Sequence, residues 1–227
     1  MSDHPDATAA PLVLALDTST VVNVGLARGA EVLAQASVSD RLAHVEQLMP
    51  LVRQVLDEAG CRIADVDLIV VGLGPGPFTG LRVGVVTARV LASVTKAAIH
   101  GICSLDVIAA QFAAEGPAGD FVAVTDARRK EVYWARYAGD GIRVDGPRVS
   151  DPGELPALPA VGPAADLYAD RLSAVLGPRV LDPGALAMIG PRLPSAGTEP
   201  LYLRRPDASE PTRGKSVLLT RPAERPQ

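Results

Sequence analysis

Leu12-Val13-Leu14-Ala15-Leu16-Asp17 and Phe121-Val122-Ala123-Val124-Thr125-Asp126 are two short apolar runs, each closed by an aspartate. Apolar runs of this length bounded by turn residues read as buried strands. Each is followed by a turn and a second strand candidate, Val21 to Ala27 after the first and Val132 to Tyr137 after the second. A strand ending in Asp, then a hairpin, at the head of both halves points to an internal structural duplication.

Working outward from the first run, Glu31 to Val38 gives a third strand, reached through short polar connections that suit antiparallel hairpins. From Ala43 to Ala59 the period becomes helical, with Val45, Leu48, Met49, Val52, Val55, Leu56 and Ala59 on one face. Pro50 either kinks that helix or marks its true first turn, because proline lacks the donor an interior position needs. Asp67 to Val71 reads as a buried strand running into Gly72-Leu73-Gly74-Pro75-Gly76-Pro77-Phe78-Thr79-Gly80. A second helix is expected from Gly80 to Thr95, with Thr79 as its N-cap. Ala97 to Ile102 is a further strand, and Ser104 to Ala114 a further helix. Gly116-Pro117-Ala118-Gly119 is then a hinge between the halves. Residues 146 to 163, rich in Pro and Gly, read as irregular loop. Pro163 to Leu176 reads as one helix, and Ala185 to Ile189 as a shorter one.

The chain has 227 residues, 22 Lys+Arg against 26 Asp+Glu, 48% apolar and 21% charged residues. That supports a sizeable core and excludes global disorder and a strongly basic nucleic-acid binder. No uncharged apolar run approaches the ~20 residues of a bilayer-spanning helix. The start is acidic at Asp3 and Asp6 where a signal peptide would be basic, so a cytoplasmic location is expected. Cys61 and Cys103 have no metal-ligand spacing, and His4, His44 and His100 form no metal pair. Residues 1–11 and the proline-studded tail 205–227 are expected to be disordered.

Two stretches carry chemistry or packing. The helix after the glycine run is apolar except for a narrow stripe of Arg82, Arg89, Ser93 and Lys96. Gly80, Gly84, Ala88 and Ala92 recur every fourth residue, giving a flank that permits close backbone approach. A helix apolar most of the way round must be covered on several sides, either by the rest of this chain or by another subunit. The glycine run suits a phosphate or another backbone. It lacks the Gly-Lys-Ser/Thr ending of a nucleotide P-loop and the spacing of the dinucleotide fingerprint. Asp17-Thr18-Ser19-Thr20 places a carboxylate and three hydroxyls in one turn. Such a turn can hold phosphate oxygens or a hydrated magnesium ion, or can simply cap itself. Candidate phosphate or nucleotide contacts are therefore Asp17, Thr18, Ser19, Gly74, Gly76, Thr79 and Gly80. Ser104, His100 and Asp106 are a chance cluster until a fold places them, so no catalytic residue and no metal site is assigned.

Taken together, five stretches resemble the TsaB (YeaZ) family. They are Leu14 to Ser19, His44 to Pro50, GLGPGPFTGLRVG at Gly72 to Gly84, Asp126 to Tyr133, and Pro200 to Arg204. The likeness spans roughly residues 12 to 204. Pro77 and Val45 depart from the family pattern, where Ser is usual at both. The resemblance implies an α/β, actin-like and sugar-kinase-like fold of two related domains, 12–115 and a reduced 116–204. It implies a non-catalytic subunit in synthesis of the threonylcarbamoyl-adenosine beside the anticodon of tRNA. The related catalytic subunit, TsaD, carries paired metal-binding histidines, whereas Leu48 stands four residues after His44 here. The implied partners are TsaD, the ATPase TsaE and, for the chain alone, a second copy, with tRNA met indirectly and no membrane. ATP and magnesium serve the wider complex. The implied interface is His44, Leu48, Met49, Val52, Leu56, Leu81, Gly84, Val85, Ala88, Leu91 and Ala92. The alternative is a small-molecule kinase or carbamoyl transferase of the same fold using Asp17. A peptidase ranks last for want of a triad or metal.

Overall fold

Two five-stranded sheets with one shared plan grow from the two halves, in a computed structural model that describes residues 10–39 and 44–204. The first sheet holds β1 (Leu12–Asp17), β2 (Val22–Arg28), β3 (Glu31–Val38), β4 (Leu68–Gly72) and β5 (Ala98–Ile102), in the order β3-β2-β1-β4-β5. The second holds β6 (Phe121–Arg128), β7 (Glu131–Tyr137), β8 (Arg143–Ser150), β9 (Pro159–Val161) and β10 (Ala174–Val175), in the order β8-β7-β6-β9-β10. In each, the first three strands form an antiparallel meander, and the fourth and fifth join parallel to the first. The duplication read from the two Asp-ended runs is thus a duplication of topology. This is the α/β, actin-like arrangement.

Parallel neighbours need crossovers. In the first half these are α1 (His44–Glu58) and α2 (Phe78–Thr95). In the second half only 3-10 segments, at Pro152–Glu154 and Asp166–Arg171, occupy the corresponding places. α3 (Ser104–Ala113) links the halves, and α4 (Pro183–Ile189) follows β10. Strand alternation sorts the side chains into layers. Leu12, Leu14 and Leu16 of β1 face α1 and α2, while Val13 and Ala15 face a central core. That core takes in α3, α4 and, from the second sheet, Phe121, Ala123, Ala135 and Tyr137. Phe121 sits between Phe112, edge-on at 4.9 Å, and Tyr137, stacked at 5.7 Å. The outer face of the second sheet, Val122, Val124 and Trp134, is covered by Ala164, Ala165 and Tyr168.

Several expectations shift. α2 starts at Phe78, and Pro77 rather than Thr79 is its N-cap, because an extended residue without a donor suits that place. Pro50 lies inside α1. Residues 146–163 are not all irregular: β8 runs through Gly146 and Pro147, which an edge strand tolerates, and β9 begins on Pro159. No α-helix spans 163–176. Its apolar residues pack on the second sheet, but Tyr168 leaves helical geometry and its hydroxyl reaches Asp126 at 3.2 Å. The shorter helix forms, starting two residues earlier than expected, with Asp182 accepting from the Ala185 amide at 2.6 Å. The chain from α4 onward, counted by sequence with the second domain, returns to the first sheet. Residues 1–9 and 205–227 lie outside the described residues.

α4 meets the first sheet backbone to backbone. At Gly25 of β2 an added Cβ would overlap the Pro183 carbonyl, and the Gly184 amide donates to Gln35 Oε1 at 2.6 Å. Gly25→Ala is expected to destabilise by roughly 1–3 kcal/mol, as overpacking does, lowering the melting temperature by several degrees. Calorimetry checks this, and an unchanged melting point would mean the helix is not held so closely.

Candidate functional site

Every fourth residue from Gly72 to Gly84 is glycine, and all four of these press on the turn that follows β1. A Cβ at Gly72 would overlap Asp17 Oδ2, and one at Gly84 would overlap Thr18 Oγ1. At Gly76 and Gly80 it would lie 2.7 Å from the carbonyl oxygens of Ser19 and Thr18. The Thr18 hydroxyl donates to the Gly80 carbonyl at 2.7 Å. Asp17 is fully buried. Its Oδ1 accepts from the Ser19 amide at 2.8 Å and hydroxyl at 2.6 Å, and its Oδ2 accepts from the Ser104 hydroxyl at 2.5 Å. Ser104 in turn accepts from the Gly74 amide at 3.1 Å. Burial pushes the Asp17 carboxyl above its usual range, against the pull of the Ser104 and Ser19 bonds. Of the candidate phosphate contacts, Asp17, Thr18, Ser19, Gly74 and Gly76 are therefore buried in this knot, with Ser19 and Gly76 lining neighbouring recesses, while Thr79 is exposed and Gly80 half-buried. The loop's glycines admit a second stretch of backbone.

The matching turn in the second half is built alike and left open. Asp126 Oδ1 accepts from the Arg128 amide at 3.0 Å, as Asp17 does from Ser19. Asp126 is nevertheless only half-buried and pairs with Arg128 at 3.4 Å. Between β6 and β7 the chain turns through Arg128, Arg129 and Lys130 with φ of 63°, 55° and 64°. Side chains resist this left-handed region at a cost of about 1 kcal/mol each, and a two-residue hairpin ordinarily uses Asn-Gly there. The three cations are exposed. Arg128 and Arg129 line a recess of about 220 Å³ whose other walls are Gly76 to Phe78, Asp126, Ala127, Tyr133 and Tyr202 to Arg204. Arg204 donates to the Ala127 carbonyl at 2.8 Å and pairs with Glu131. The rings of Phe78 and Tyr202 lie 4.6 Å apart, with the Arg82 guanidinium 4.0 Å from the Phe78 ring centre. The sequence reading places a turn here, within the Asp126 to Tyr133 stretch, but gives it no binding role. The signal available was the absence of Gly or Asn from a tight hairpin.

The helical face divides differently from expectation. Leu48, Val52 and Leu56 of α1 and Leu81, Gly84, Val85, Ala88 and Leu91 of α2 are buried in the chain's own core, so they are not offered to a partner. Met49 is exposed and Ala92 half-buried, while the His44 side chain lies outside the described residues. Within the small-residue flank of α2, Gly80 and Gly84 pack on Thr18, and Ala88 packs into the core under the first sheet. What α2 presents outward is Val86, Val90 and Val94, at 56%, 56% and 76% exposure, one turn apart. α2 is, among the described residues, the helix with the length and composition to cross a membrane, but its inner flank packs into the first sheet. The cluster around Ser104 disperses. His100 meets the Leu193 carbonyl at 3.0 Å, and Asp106 accepts from the Tyr137 hydroxyl at 2.7 Å. Burial pushes the Cys103 thiol up to about 12.

Because the native Asp17 holds its proton to higher pH than the unfolded chain does, its ionisation erodes stability as pH rises above about 4. Asp17→Asn removes that loss while keeping an acceptor for Ser19. The melting temperature of the variant relative to the wild type is expected to climb between pH 4 and 8. A constant difference would mean that Asp17 is not sealed from water.

With this geometry in place, comparison with known proteins is informative. Residues 31–179 match the model of the family described as TsaD: tRNA N6-adenosine threonylcarbamoyltransferase. The Mycobacterium tuberculosis protein Rv3421c is 43% identical over 204 residues, covering 86% of this chain and 93% of its own. The Escherichia coli tRNA threonylcarbamoyladenosine biosynthesis protein TsaB is 33% identical over 129 residues, covering 56% of this chain and 55% of its own. YeaZ from Pseudomonas aeruginosa superposes with a TM-score of 0.69 at 26% identity, over 85% of this chain and 100% of that one. The chain belongs to the TsaB/YeaZ family.

Proposed function

We propose that this chain serves tRNA threonylcarbamoyladenosine biosynthesis as a scaffold subunit, docking a TsaD-type catalytic subunit through the outer side of α2. The observation that carries the reading is the stripe Val86, Val90 and Val94. Each is more than half exposed, on a helix whose opposite flank is anchored in the core. Contiguous exposed apolar surface favours a protein partner. A helix-pair interface would bury on the order of 800 Å² per partner, enough for a specific complex. Met49 and Pro50 of α1 are also exposed, on a helix that packs against the same face of the first sheet as α2. Self-association through the same face would compete with the heterodimer. TsaE joins the working assembly, which uses ATP and magnesium, in the cytoplasm.

The chain performs no transfer of its own in this reading. The kinase or carbamoyl-transferase alternative needs Asp17 at a phosphate or a metal, and both Asp17 oxygens are already occupied in a buried knot. Enlarging Gly84 does not test the interface, because its Cβ would strike Thr18 inside the chain. The informative variant is Val86→Glu/Val90→Glu. Its melting temperature should stay within a few degrees of the wild type, since exposed positions tolerate change. Association with the catalytic subunit should weaken at least ~10-fold through loss of apolar contact and burial of charge, and reconstituted tRNA threonylcarbamoylation should fall with it. Association and modification that persist undiminished would refute the scaffold assignment.

A further inference from the structure

The hairpin Arg128-Arg129-Lys130 departs from the turn chemistry its backbone demands, and no core packing compensates, since all three side chains are exposed. Three successive left-handed residues that are cations rather than glycine or asparagine concentrate charge at the cost of strain. Such local rule-breaking collects at functional positions. The chain as a whole carries a formal charge of -4, yet this recess is lined by Arg128, Arg129 and Arg204 against Asp126, with Arg82 held on its walls Phe78 and Tyr202, Lys130 next in the turn, and Glu131 paired with Arg204. Flat apolar surface lies in the same place. Tyr202 is 39% exposed, its ring lies 4.6 Å from that of Phe78, and Arg82 donates to its hydroxyl at 3.3 Å.

We infer that this recess is an RNA contact. The β6–β7 turn grips phosphodiester oxygens, and the exposed face of Tyr202 receives an unpaired base. Guanidinium groups bind phosphate and aromatic faces stack bases, and both together on one rim match single-stranded or loop RNA. An acidic protein surface would use the cations but has no use for the ring. The contact is made by side chains outside the Asp17 knot, so it asks nothing of the buried turn. It rests on the tRNA-modification reading above and extends it: this subunit touches the RNA directly rather than only through its partner.

The deciding variant is Arg129→Asn/Lys130→Gly, which installs the residues such a turn prefers while removing two charges. The full-length chain is titrated with a fluorescent unmodified tRNA transcript across a salt series, and its melting temperature is recorded. The melting temperature should hold or rise. The tRNA dissociation constant should increase about 10-fold or more at low salt, and the slope of log affinity against log salt should shrink by roughly 1.5, for two lost phosphate contacts. Tyr202→Ala should weaken binding without changing that slope. Unchanged affinity and slope in the double variant overturn the inference, as does poly-glutamate displacing tRNA at comparable charge concentration, which would reassign the turn to acidic proteins. The same variant assembled with the catalytic subunit separates the two readings. A heterodimer that forms normally but shows a raised KM for tRNA supports both. One that forms and keeps its KM refutes the RNA contact alone. A chain that binds tRNA but never the catalytic subunit refutes the scaffold reading alone.

Discussion

A single close approach organises the first half of the molecule. The turn after β1 lies directly against the chain running from β4 into α2, and glycine at positions 72, 76, 80 and 84 is what allows it. With backbone on backbone there is no room for a Cβ, and the polar groups brought together must satisfy one another. They do so through Asp17, whose two oxygens collect Ser19 and Ser104 and so tie β1, the glycine loop and the start of α3 into one unit. The orientation of α2, and hence which of its residues look outward, follows from that contact.

The second half repeats the plan without the closure. Asp126 makes the same turn-stabilising bond to the amide two residues on, but no glycine ladder comes to cover it. Its crossovers shrink to 3-10 segments, and its turn is left exposed, strained and cationic. Duplication followed by unequal trimming leaves one lobe to be buried and the other to be presented.

Much of this was legible from residues alone. The Asp-ended apolar runs announced both sheets, and the four-residue glycine and alanine spacing announced a close-packed flank on α2. What that spacing did not disclose was which neighbour uses the flank. Periodicity identifies a face but not its partner, so Gly84 and Ala88 read as an intersubunit surface when they serve the chain itself. Val86, Val90 and Val94 have an equally plain period, but in a helix apolar nearly all round only the packing shows which stripe stays wet. The segment 163–176 misled for a related reason: its apolar spacing suits a helix, but the second sheet required a fifth strand, and Tyr168 was drawn to Asp126. β8 was hidden by Gly146 and Pro147, which end a central strand but not an edge one.

The middle layer has a mechanical consequence. α3 and α4 lie in one continuous core with the inner faces of both sheets, and the segment Gly116 to Gly119 joins two elements already fixed in that core. A jaw that shuts on a small substrate needs its halves to rotate apart, and here rotation would tear open the interior. Rigidity of that kind is a handicap for a machine that must swallow its reactant and an asset for a gauge block, whose worth lies in holding the distance between two outer surfaces constant.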